Sequence, residues 1–151
     1  MNAYSTVVNY LKKLGDENAY INTITLGYQG TIDNDKHNIF PLLDIVINTG
    51  SFPSEGVVRF DVELIAVDRR DVNKLTESDK LYQNDNAVDN HNEMLDVLQE
   101  IWRKMRKDFE DNNITSSELP TFNKVENAFV NLVDGWMLSF YVDIPNNTSL
   151  C

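Results

Sequence analysis

Apolar positions along the chain change period several times, and each change marks an element. Over residues 2–14, Tyr4, Val7, Val8, Leu11 and Leu14 recur at helical spacing and predict an amphipathic helix. Asn2 suits its N-cap, Lys12 and Lys13 its last turn, and Gly15 its stop. Residues 20–28 are rich in β-branched and aromatic types and predict a strand, followed by a polar turn from Gly30 to Asn38. Residues 39–48 predict a second strand. Its centre, Leu42-Leu43-Asp44-Ile45-Val46-Ile47, is almost continuously apolar, so both faces should be covered. Thr49 to Gly56, with Gly50, Pro53 and Gly56, reads as a hairpin connection.

Residues 57–68 alternate. Val58, Phe60, Val62, Leu64 and Ala66 lie on one face, with Arg59, Asp61 and Glu63 on the other. The second face turns apolar at Ile65 and Val67, which predicts cover on both sides at that end. Residues 69–89 are polar and read as a long loop. A second helix is expected from about 90 to 111, with Met94, Leu98, Ile101 and Met105 in one stripe and an Asn90/Glu93 capping box. A polar loop over 112–120 ends at Pro120. Strands are expected over 121–131 and 135–144, with Asp134-Gly135 as the hairpin between them and Pro145 as the stop. The tail Asn146 to Cys151 is polar. The order predicts one α+β domain: a single, mostly antiparallel sheet of about five strands carrying two main helices. No internal repeat or domain boundary is visible.

Composition changes this picture little, and charge changes it more. The chain has 151 residues, 24 acidic and 13 basic, for a formal net charge of -11. Such a balance repels nucleic acid and anionic lipid unless a local basic patch overcomes it. Met1 to Tyr10 lacks a basic start followed by an apolar run, so no secretory leader is expected. No apolar run reaches the length of a bilayer span. Cys151 is the single cysteine, so no intrachain disulfide forms and a reducing compartment is expected. Glycosylation-type triplets at Asn113, Asn146 and Asn147 are then chance matches.

Candidate chemistry is sparse. No phosphate-binding loop or nucleophile elbow is present. His37 and His91 have no second histidine or cysteine at metal-ligand spacing, and both are expected at the surface. Asp33 to Asn38 opens like a calcium loop but has Asn38 where the loop needs glycine, and its twelfth position is Asp44 in an apolar strand. With 24 acids in the chain, Asp61 with Glu63 and Asp68 with Asp71 are pairs expected by chance. Trp102, Trp136, Phe122 and Phe140 are expected in the core. The one basic cluster is Arg103, Lys104, Arg106 and Lys107, partly matched by Glu100 and Glu110 at i,i+4. It reads as a solvated helix face, or alternatively as a dock for an acidic patch on another copy.

One resemblance adds to this. A long strand ends in Asp68-Arg69-Arg70 and a polar loop follows. Then come Asn92-Glu93-Met94-Leu95-Asp96-Val97-Leu98-Gln99-Glu100-Ile101 and a strand pair. Asp134-Gly135-Trp136 opens a final strand ending at Ile144-Pro145. This order resembles the tail-terminator or tail-completion proteins of tailed bacteriophages, in particular the neck ring proteins of crAss-like phages. The first helix and the strand Leu42 to Asn48 fit the same layout, so the resemblance spans most of the chain. It implies a homo-oligomeric ring in the virion, made in the host cytoplasm and set between portal or adaptor and tail proteins. DNA would pass by without specific binding, and no catalytic residue, cofactor or membrane is implied. The candidate interface is then Arg69, Arg70 and Asp71 at the strand end, with Arg103, Arg106 and Lys107 on the helix. A small acidic inhibitor that mimics nucleic acid is the alternative, and an enzyme the third reading.

Overall fold

A computed structural model describes residues 2–27, 39–70, 86–112, 114–128 and 132–146. The segment Asp33 to Asn38 with His37, Asp71, Asn113, Asn147 and Cys151 lie outside the described residues. The elements run α1 (Ala3–Glu17), β1 (Thr23–Leu26), β2 (Leu42–Ser54), β3 (Val57–Arg69), α2 (Ala87–Asn112), β4 (Thr115–Ser116), β5 (Thr121–Ala128) and β6 (Val133–Pro145). The fold is α+β, one six-stranded sheet with two helices among the described residues.

Helix α1 runs past Gly15, which is buried rather than terminal. A Cβ there would lie 2.7 Å from Ile24 Cδ1, so the glycine lets the helix sit close on the sheet. Asn18 ends α1: its Oδ1 accepts the Tyr20 N–H at 3.0 Å and its Nδ2 donates to Glu100 of α2 at 3.1 Å. Asn18 itself is extended, at φ -83 and ψ 121, and the turn that its side chain closes falls at residues 19–20, so β1 starts at Thr23 rather than at 20.

The sheet order is β1-β2-β3-β6-β4, and β5 also pairs with β6. Strand β6 therefore shares one edge between β5, along Val133 to Ser139, and β4, at Val142 and Asp143. All pairs are antiparallel except β1 with β2, where Thr23 faces Leu42 and Leu26 faces Ile45 in parallel register. The expectation of a short turn there fails because residues 27–41 separate the strands, a length suited to a crossover.

Two turn signals lie inside strands. The expected hairpin connection from 49 to 56 shrinks to Glu55-Gly56, and β2 continues to Ser54. Gly56 takes φ 74, the left-handed region open to glycine at little cost. Pro53 is tolerated because, among the described residues, β2 is an outer strand there. Asp134-Gly135 is not a turn either. A Cβ on Gly135 would come 1.9 Å from the Ala66 carbonyl oxygen, so glycine allows β6 to approach β3. Helix α2 starts at Ala87, which places Asn90 inside it, 3% exposed, with Nδ2 donating to the Arg69 carbonyl at 3.0 Å. It is not an N-cap.

Both helices pack on one sheet face. Leu11 and Leu14 of α1 and Met94, Ile101 and Met105 of α2 meet Leu64 of β3 and its neighbours in the main core. Burying a side chain of that size contributes about 1.5–3 kcal/mol. The opposite face has its own buried cluster at one end: Leu42, Val46, Ile65, Val67 and Val133. This two-sided burial is the pattern expected from the apolar run in β2 and from Ile65 and Val67.

Candidate interface surfaces

The six charged candidates separate into three environments. On α2, Arg103, Arg106 and Lys107 are exposed. Arg106 lies 3.8 Å from Glu110 and Lys104 lies 3.1 Å from Glu100, both as i,i+4 pairs. Such exposed pairs contribute only a few tenths of a kcal/mol, so this face is a solvated one with two cations, Arg103 and Lys107, lacking ion pairs among the described residues. Arg69 ends β3 with its side chain exposed. Arg70 is different. Its guanidinium grips Asp134 through both ends, Nε to Oδ2 at 2.7 Å and Nη2 to Oδ1 at 2.8 Å. Asp134 is fully buried, so Arg70 locks the end of β3 to β6 and its side chain is held inside the chain. Asp71 lies outside the described residues.

His91, expected at the surface, is only 8% exposed. It lies on the side of α2 that faces β5. Nδ1 lies 2.6 Å from the Ala87 carbonyl oxygen and Nε2 3.0 Å from that of Val125. Trp136 Nε1 donates to the His91 carbonyl at 2.8 Å. The ring thus ties helix to strand. The four aromatic residues form two separate pairs, Trp102 with Phe140 and Phe122 with Trp136, with ring centroids 5.5 and 5.3 Å apart. Phe140 is in the core as expected, while Phe122 is 51% exposed. Asp61 accepts the Thr49 hydroxyl at 2.8 Å. Among the described residues no three His, Cys, Asp or Glu side chains are grouped to hold a metal, and no helix is long and apolar enough to cross a membrane.

The sheet edges hold features that charge-based reading missed. Strand β1 covers β2 only along Leu42 to Ile45. From Asn48 to Ser54 strand β2 is exposed, and Val46 to Ser54 contains no charged residue. Two register shifts bend it, between Val46 and Thr49 and between Ser51 and Ser54. The second carries Phe52, 82% exposed, onto a hollow of about 550 Å³ that it shares with Tyr4, Val58 and Phe60. Across the sheet, the chain between β4 and β5 lifts Leu119 into solvent, 87% exposed, next to Pro120. On the polar face of the same end, Arg59 clamps Asp143 at 2.7 and 2.8 Å and stacks 3.8 Å over the Tyr141 ring.

A second cavity of about 490 Å³ opens between α1 and the end of α2, floored by Val7, Leu11, Phe109 and Ile144. At its rim the Tyr10 hydroxyl donates to Asp108 at 2.7 Å. No protein-family model matches the chain, and no curated protein matches it by sequence.

Proposed function

We propose that this chain is a structural virion protein of a tailed phage, a tail-terminator-like ring in the head–tail connector that surrounds the DNA path. The phage assignment rests on the sequence resemblance. One observation supports assembly: among the described residues the sheet is open along opposite edges. Among the described residues β2 has no outer partner beyond Ile45, and β5 pairs only with β6. A contact between two different edges is heterologous, and its repetition gives a ring where the rotation between copies closes. The net charge of -11 fits a wall past which DNA slides, since like charge prevents adhesion.

Mass photometry and negative-stain imaging test this on the full chain, alone and mixed with the portal and tail proteins of the same virion. Rings, or oligomers that grow with concentration, are expected. A chain that stays monomeric at high concentration and binds neither neighbour overturns the reading.

A further inference from the structure

The geometry points to a knob-and-hole contact between copies of this chain: Leu119 of one copy seats in the hollow formed by Tyr4, Phe52, Val58 and Phe60 of the next. This deepens the ring reading and rests on it. The knob stands between β4 and β5, outside β6, and the hole lies where the start of α1 meets β2 and β3, so two different surfaces meet and the contact runs head to tail.

Three features select a second copy as the occupant. At -11, most faces of this chain repel another copy of it. The hollow is an exception, because it is lined by Asn2, Ala3, Tyr4, Phe52, Val58, Phe60 and Asn146, none charged at neutral pH. The knob segment from Ser117 to Phe122 carries one acid, Glu118. Two charge-poor apolar surfaces on an acidic chain therefore face each other with the least repulsion. The knob is also pre-shaped. Leu119 precedes Pro120, which restricts it to extended backbone, so little conformational freedom is lost when it docks. On the receiving side, the register shift between Ser51 and Ser54 aims Phe52 outward as a wall, and the Tyr4 ring stands edge-on to Phe60 at 6.0 Å as the floor. Binding energy at interfaces concentrates on aromatic side chains in well-packed pockets, and here the receiving side supplies them as Tyr4, Phe52 and Phe60.

Cross-linking tests the pairing. In a Cys151→Ser background, Phe52→Cys and Leu119→Cys chains of different tag length are mixed at about 1 mM and joined with a short bis-maleimide. The mixed product is expected to exceed either same-variant product by about tenfold. The double variant, Phe52→Cys with Leu119→Cys on one chain, is expected to give a ladder ending at a closed oligomer. Leu119→Asp is expected to raise the concentration for half-assembly at least tenfold. Leu119 is 87% exposed, so this change should leave the thermal melt unaltered. Assemblies that form normally in Leu119→Asp, or that cross-link only like with like, overturn this contact while the ring reading stands. Monomers with no cross-link at any concentration, and with no binding to portal or tail proteins, overturn both.

Discussion

At the scale of single residues, Asp44 is the clearest tension in the molecule. Its carboxyl is fully buried, Oδ1 accepts the Thr25 hydroxyl at 2.6 Å, and Oδ2 has no hydrogen-bond partner among the described residues. Burial pushes its pKa above the usual carboxylate range, and the Thr25 hydrogen bond pulls it part of the way back. In the unfolded chain the group ionises near pH 3.9, on the order of any free aspartate. Because the native value is raised, the stability linked to this group is complete below that pH and is lost as pH rises through the native value. Asp44→Asn has no charge to bury. Denaturation across about pH 3 to 8 is expected to show the variant gaining on the wild type as pH rises. Parallel curves would contradict this account. Asp44 was legible as an acid inside an apolar run, but its missing partner depends on what β1 and β3 place beside it.

At the scale of elements, the same dipeptide can be a turn or a strand interior, and Asp134-Gly135 is the latter. Local propensity favours a hairpin there. It is overridden because β6 pairs with β3 from Val133 to Pro145, with Gly135 opposite Val67. Asp134, buried, then has its partner in Arg70, which no local signal announces. Gly135→Ala is expected to destabilise the fold by at least about 3 kcal/mol, because the methyl meets backbone that cannot yield. The expected readout is a lower urea midpoint, and a variant within about 0.5 kcal/mol of wild type would rule the close approach out. The Thr49 to Ser54 stretch fails as a turn for a related reason. Pro53 and Gly50 are poor strand residues in general, yet an outer strand asks little of Pro53, and Gly50 stands where a Cβ would lie 2.6 Å from the Arg59 carbonyl oxygen.

At the scale of the whole molecule, charge and edge exposure act against each other. Copies of a chain at -11 repel one another through water, and the open sheet edges attract. Salt screens the first far more than the second, with a Debye length of about 10 Å at 0.1 M and about 3 Å at 1 M. Self-association is therefore expected to tighten about threefold or more between about 0.05 and 0.5 M NaCl, read by sedimentation velocity. Association that weakens with salt would mean that opposite charges, such as Arg103 and Lys107 on an acidic patch, hold the copies together instead.

The chain's own pattern was enough to place both helices, the long alternating strand β3, the final strand and the two-sided burial around Leu42 to Val46. Periods of 3.6 and 2 are local properties, written residue by residue. It was not enough to show that β1 runs parallel to β2, that Arg70 pairs with a buried Asp134, that His91 is buried, or that Phe52 and Leu119 stand exposed on opposite edges. Each of those depends on which strand lies beside which. A carboxylate, a histidine or a glycine takes its role from neighbours far away in sequence, and only the tertiary structure assembles them.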